Sequence, residues 1–85
     1  MPDEGTAREE TLDTSGLHCP MPVLLVKRRL RRMAPGARLT VQATDPLAEL
    51  DLANFCREEG HVLLSVGKDA DRVTVRIERG RSGGL

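Results

Sequence analysis

Pro20 and Pro22 flank Met21 immediately before the apolar run Val23-Leu24-Leu25-Val26, and Cys19 stands directly in front of them in Gly16-Leu17-His18-Cys19-Pro20-Met21-Pro22. No other stretch restricts the backbone as much. Proline is tolerated in the first helical turn, where N–H groups lack intrahelical acceptors and its φ is already suitable, but it disrupts a helix further in. A helix therefore has to start at this corner. Its first residue stays open. A residue before proline resists the helical basin, so Met21 favours a start at Pro22, whereas Pro20 in the first position makes Cys19 the cap. In the second case the Cys19 sulfur can accept from the Met21 N–H but not from Pro22, which has none. Either start places the sulfur at the positive end of the helix dipole. That field favours thiolate and is expected to lower the thiol from its ordinary pKa of about 8.5.

A free cysteine is most often a small buried hydrophobe. Cys19 lies between His18 and Pro20 at a loop-to-helix junction led by glycine, which is a poor place for a core residue. Reactive cysteines tend to sit at helix N-termini. On the residues alone both roles remain open.

A chain of 85 residues makes one small domain over residues 1–85, with 1–8 and 80–85 expected to be loose ends. Such a chain buries only about 60–65% of its unfolded surface, enough for one modest core. Phe55 is the single aromatic, so that core has to be aliphatic. The same shortage counts against RNA or single-strand binding, which uses exposed aromatics as stacking platforms. A formal net charge of zero argues against a wholly basic nucleic-acid binder. The start Met-Pro-Asp-Glu-Gly lacks the basic and apolar regions of a secretory signal, and no stretch is long enough for a transmembrane helix. A cytoplasmic, reducing setting is expected, where Cys19 and Cys56 are free thiols. No metal-ligand spacing is present, and neither metal nor cofactor is expected.

Taken in order, Glu9 to about Leu12 forms a short strand, and Asp13-Thr14-Ser15-Gly16 is a turn cluster. The first helix runs to about Met33, with Val23, Val26, Leu30 and Met33 on one face and Leu24 and Leu25 widening it. Ala34-Pro35-Gly36 stops it. Arg38–Ala43 alternates and reads as a half-buried strand. Asp45 then caps a second helix with Pro46 at its first position, and Leu47, Leu50 and Phe55 are candidates for the buried face. Asp51 leaves open a break into two short helices. His61–Gly67 is a third strand, Lys68–Asp71 a hairpin turn, and Arg72–Arg79 the cleanest alternating strand in the chain, with one wet face. The predicted fold class is α+β. It is a two-layer α/β sandwich in the order β-α-β-α-β-β, with a four-stranded mixed sheet and both helices on one face.

Leu12-Asp13-x-x-Gly16-Leu17-x-Cys19-Pro20-x-Pro22 resembles the signature of the TusA/SirA-like sulfur-carrier family, whose hallmark is Cys-Pro-x-Pro at the start of the first helix. The likeness continues through Pro35-Gly36, Asp45-Pro46, Phe55-Cys56 and Gly60-His61, and covers roughly residues 10 to 80. It implies the same two-layer sandwich and assigns the reactive role to Cys19, supported by Gly16, Pro20 and Pro22. The implied activity is persulfide relay by a sulfurtransferase. Cys19 would accept sulfur from a cysteine desulfurase or similar donor and pass it to an acceptor protein. Family members feed tRNA 2-thiouridine synthesis, molybdenum-cofactor maturation or dissimilatory sulfur oxidation, and the first is the expected destination. A monomer is expected, with no membrane and no required contact with nucleic acid. Cys19 should then be exposed, next to free first-turn N–H groups, with no side-chain base within hydrogen-bonding reach.

The remaining candidates keep two roles each. His18 is a solvent-facing loop residue or a charge that steadies the thiolate. Cys56, beside Phe55, is a buried structural cysteine or a resolving thiol. Lys27, Arg28, Arg29, Arg31 and Arg32 complement the negative helix end, or dock an acidic partner or tRNA phosphates. Asp45, Asp51, Glu58 and Glu59 read as caps and solvated surface. The rival to a carrier is a non-catalytic regulatory or binding module that contacts nucleic acid or protein through the basic first helix.

Overall fold

The computed structural model describes residues 9–81. Residues 1–8 and 82–85, most of the ends expected to be loose, lie outside the described residues. The elements follow the predicted order: β1 (Glu9–Asp13), α1 (Met21–Arg31), β2 (Arg38–Ala43), α2 (Ala48–Glu59), β3 (Val62–Asp69) and β4 (Arg72–Glu78). They form a four-stranded mixed sheet in the order β1-β2-β4-β3. β1 and β2 are parallel, and the other two pairings are antiparallel.

The core follows from alternation on the strands and from stripes on the helices. Leu39, Val41 and Ala43 of β2 and Val75 and Ile77 of β4 point to one face and are fully buried. Val26 and Leu30 of α1, Met33 just beyond it, and Leu52, Phe55 and Cys56 of α2 meet them in a single cluster, so both helices cover the same face. Each fully buried aliphatic side chain stabilises the fold by about 1.5–3 kcal/mol. The other face is polar. Arg38 faces Glu78 at 3.7 Å across the neighbouring strands β2 and β4, and Arg76 of β4 reaches Glu9 of β1 at 3.7 Å across β2. Such exposed pairs contribute at most about 1 kcal/mol.

The second helix departs from its predicted phase. It is one continuous helix, because the Asp51 N–H makes an ordinary bond to the Leu47 carbonyl at 3.0 Å. Its buried stripe is Ala48, Leu52, Phe55 and Cys56. These are the i, i+4, i+7 and i+8 positions of one helical face. Leu47 and Leu50 were expected inside and lie outside, 53% and 58% exposed. Leu50 is two residues from both Ala48 and Leu52, which turns it to the opposite side. The third strand also breaks its alternation. Leu63 pairs with Ile77 and Ser65 with Arg76, so Leu64 is an extra bulged residue. The bulge lets Leu63 and Val66, three apart, both pack on the core. β3 and β4 extend into a tight turn at Ala70-Asp71, with Ala70 at φ 56°.

Gly80, expected at the start of a loose tail, is held in place. Its N–H donates to His61 Nδ1 at 3.0 Å, and its Cα faces the Gly60 carbonyl. A Cβ at position 80 would overlap that carbonyl oxygen, which is backbone and cannot swing away. Gly80→Ala is expected to destabilise the fold by about 1–2 kcal/mol, lowering Tm by roughly 5–15 °C. The control is Gly67→Ala, where a Cβ meets nothing within 4 Å. Thermal melts in which both variants match wild type would contradict the packing described.

Candidate functional site

The loop between β1 and α1 is tied residue by residue to the end of β2. Thr14 is fully buried and donates both its N–H and its hydroxyl to the Gln42 carbonyl, each at 2.7 Å. Ser15 N–H donates to Asp13 Oδ1 at 2.9 Å, and Gly16 N–H to Thr44 Oγ1 at 2.9 Å. Gly16 has φ 82°, in the left-handed region where a side chain is strained. Cys19 N–H then donates to Asp45 Oδ2 at 2.5 Å, and the other carboxylate oxygen accepts from Leu47 N–H at 2.9 Å. Asp45 therefore clamps the Cys19 loop to the start of α2, and these two hydrogen bonds hold its carboxyl below the usual carboxylate range. The predicted cap is present only in part: Asp45 closes the turn before α2, whose N-cap is Leu47.

Neither predicted start of α1 is the observed one. Met21 is the first helical residue, Pro20 the cap and Pro22 the second position. The Cys19-Pro20 bond is cis. Met21 N–H donates to the His18 carbonyl at 2.8 Å, so it does not face the sulfur as a free donor. Pro22 has no N–H to offer, and the expected row of open first-turn donors is reduced accordingly.

The Cys19 side chain is exposed. Its environment is acidic rather than activating. The Asp51 carboxylate lies within hydrogen-bonding reach and, as the largest cause, pushes the thiol up. Burial and the charges of Asp51 and Asp45 act in the same direction. This corrects two expectations, that no side-chain base reaches the sulfur and that its pKa is lowered. A helix N-terminus acts as only about half a positive charge. The Asp51 and Asp45 carboxylates both act against it.

Parallel pairing of β1 and β2 sets both helix N-termini at the end of the sheet that carries Cys19. Met21 and Leu24 in the first turn of α1, and Leu47 and Leu50 around the first turn of α2, are exposed there. They give the sulfur apolar neighbours open to contact.

Residues 10–79 match the family model described as sulfurtransferase TusA. The chain belongs to that family. Two relatives in Neisseria meningitidis, from serogroup A and serogroup B strains, are each named "Putative sulfur carrier protein". Each is 45% identical over 69 residues, covering 81% of this chain and 93% of the relative. A longer relative of the same description in Aquifex aeolicus is 36% identical over 76 residues, which are 89% of this chain and 39% of its own length. The crystal structure of the SirA-like protein from Desulfitobacterium hafniense is similar at TM-score 0.74 and 26% identity, over 85% of this chain and 99% of that one.

In this TusA-family chain the other candidates fall in separate places. Arg29 bonds Glu10 at 2.9 Å, with both side chains mostly covered. Arg28, Arg31 and Arg32 are exposed. Arg31 and Arg32 lie at the far end of α1, about 16 Å along the axis from the cysteine corner. The four arginines do not form one patch around the sulfur. Cys56 is buried in α2, and burial pushes its thiol up to about 11. Such a thiol is inert at neutral pH. His18 is exposed. Among the described residues, no three His, Cys, Asp or Glu side chains are grouped to hold a metal ion, and no helix is long and apolar enough to cross a membrane.

Asp45 and Asp51, which read from the sequence as caps and solvated surface, join Cys19 as functional candidates. Asp45 was legible as a turn residue before Pro46. Its second oxygen reaches Cys19 across 26 positions in the chain, which no local pattern encodes.

Proposed function

We propose that Cys19 is the sulfur-carrying residue and that the chain relays sulfur as a persulfide between proteins in the cytoplasm. The observation that supports this most directly is the position of the thiol. It is exposed on a loop tied down at Thr14, Gly16 and Cys19 itself, in a chain of the TusA family. The Cys19 thiolate attacks the outer sulfur of a donor protein's persulfide. A new S–S bond forms on Cys19, the donor's S–S bond breaks, and the donor leaves as a thiolate that takes up the proton. Cys19–SH and donor–S–SH thus become Cys19–S–SH and donor–SH, with no net oxidation. Gly16, Pro20 and Pro22 shape the corner, and Met21, Leu24, Leu47 and Leu50 offer the donor and acceptor proteins apolar contact. A cysteine desulfurase is the expected donor, and tRNA 2-thiouridine synthesis the expected destination. Incubation with an active desulfurase and cysteine should add the mass of one sulfur atom to the protein. No added mass, across several desulfurases, would refute the carrier role.

The carboxylates beside the sulfur set its resting form. Their effect favours the thiol over the thiolate at Cys19 in the free carrier, which protects it from indiscriminate attack. Asp51→Asn keeps a side chain of the same shape and removes the charge. Because Asp51 raises the thiol, its loss should move the alkylation profile of Cys19 to lower pH and speed alkylation at pH 7 severalfold. Iodoacetamide labelling followed by mass spectrometry across pH 6–10 reads this out. A profile that stays in place or moves to higher pH would show that Asp51 does not govern the sulfur.

A further inference from the structure

The end of the molecule opposite Cys19 gathers positive charge from three separate parts of the chain. Lys27 and Arg31 come from α1, one turn apart, and Arg79 follows β4. With Leu30, Phe55, Glu59 and His61 they line a small hole of about 10 Å³. That is room for about one oxygen-sized atom. The Arg79 backbone is pinned, its N–H donating to the Ala37 carbonyl at 2.8 Å and its carbonyl accepting from Gly36 N–H at 2.9 Å. Its guanidinium Nε is buried and has no hydrogen-bond partner among the described residues. A buried, charged donor without a partner is costly, and the natural partner for a guanidinium is an oxyanion.

The neighbours balance this charge poorly. Glu59 is the one acid lining the hole, and it meets Lys27 only at 3.9 Å, with both side chains more than a third exposed. Among the described residues, neither Arg31 nor Arg79 has a carboxylate within ion-pairing distance. His61 accepts the Gly80 N–H through Nδ1, and its ring lies 5.3 Å from that of Phe55. Burial, first, and the Arg79 charge hold its pKa down, so it adds no positive charge of its own near neutral pH. The local charge is two positive after Glu59 is subtracted. Basic residues at the end of α1 also complement the helix dipole, but Arg79 belongs to no helix, and that account leaves its buried Nε unexplained.

We propose that this end of the protein binds a phosphate-type oxyanion, held at the mouth of the hole by the Lys27, Arg31 and Arg79 side chains that line it. The site is separate from Cys19 and does not depend on the sulfur-carrier role. The anion is either free in solution or a phosphate group carried on a nucleotide chain. The contacts to it are the same in both cases.

The test is an amide and arginine-side-chain NMR titration of the folded protein with inorganic phosphate, at fixed pH and with ionic strength held constant by chloride. Saturable shifts are expected at Arg79 Nε–H, Gly80 N–H and His61. Arg31→Gln, at an exposed position, should weaken binding about tenfold, the effect of one charge-assisted contact. Glu59→Gln should strengthen it severalfold by removing the competing carboxylate. A parallel titration with a 5′-phosphorylated dinucleotide separates the sources. Tighter binding than inorganic phosphate assigns a nucleotide-borne phosphate, and equal or weaker binding assigns a free oxyanion. Shifts that chloride alone reproduces, or an affinity that neither substitution changes, would overturn the site and leave the hole to a water molecule.

Discussion

Cys19→Ser should abolish sulfur loading altogether, with no mass of added sulfur after incubation with a desulfurase that loads the wild-type chain to near completion. The substitution replaces one atom at an exposed position, so the fold and Tm should stay within about 2 °C of wild type. A serine hydroxyl is not ionised at neutral pH and forms no persulfide, so the loss is total rather than graded. Cys56 cannot stand in, because it is buried in the core and its thiol is held near 11. The companion variant Cys56→Ser should load normally, although burying a hydroxyl there costs stability. A Cys19→Ser protein that still gains sulfur would move the carrier role elsewhere. If it supported the downstream pathway without gaining sulfur, a binding module would be the better description. That alternative also requires charge reversal at Arg28, Arg29, Arg31 and Arg32 to abolish function, and the structure already spends Arg29 on Glu10.

Asp45→Ala should have the largest effect on stability among residues near the site. Asp45 is 7% exposed, and its carboxylate accepts two backbone N–H groups, from Cys19 and Leu47. Alanine leaves both donors without their partner, at a cost of about 1–2 kcal/mol each. The expected total is about 2–4 kcal/mol, a fall of roughly 10–25 °C in Tm for a domain of this size. Asp45→Asn keeps one carbonyl oxygen in place and should lose about half as much. The variant also frees the cysteine corner from α2, so sulfur transfer should slow even below the melting transition. A thermal melt of Asp45→Ala within about 2 °C of wild type would show that the clamp contributes nothing.

The order of elements along the chain and the helix count were legible because the relevant signals are local. Leu39, Val41 and Ala43 alternate, and Val73, Val75 and Ile77 do the same, with polar residues between them. The cysteine corner was legible as a helix start, and so as a candidate site, because Cys19-Pro20-Met21-Pro22 states its constraint within four residues. What escaped depends on register or on contacts distant in sequence. Leu47 and Leu50 are apolar, and nothing local tells them from Leu52; the phase of α2 is decided by Leu52, Phe55 and Cys56 joining the core cluster. Leu64 is bulged because Leu63 and Val66 both reach the core, which appears only when β4 is beside them. Asp51 looks like a surface acid until Asp45 draws the loop of Cys19 down beside it. Asp51 is then the largest cause of the raised rather than lowered thiol.

The bulge at Leu64 has a bearing on how the protein behaves in a crowded solution. β3 is an edge strand of eight residues, and Val62 and Leu64 on it are exposed. A straight edge of that length with apolar side chains is a template for pairing with another copy, and hence for aggregation. The extra residue breaks the regular spacing of the outward N–H and C=O groups, and Lys68 places a charge further along the same strand. The irregularity that lets two side chains reach the core also guards the open side of the sheet, so that copies can accumulate without polymerising edge to edge.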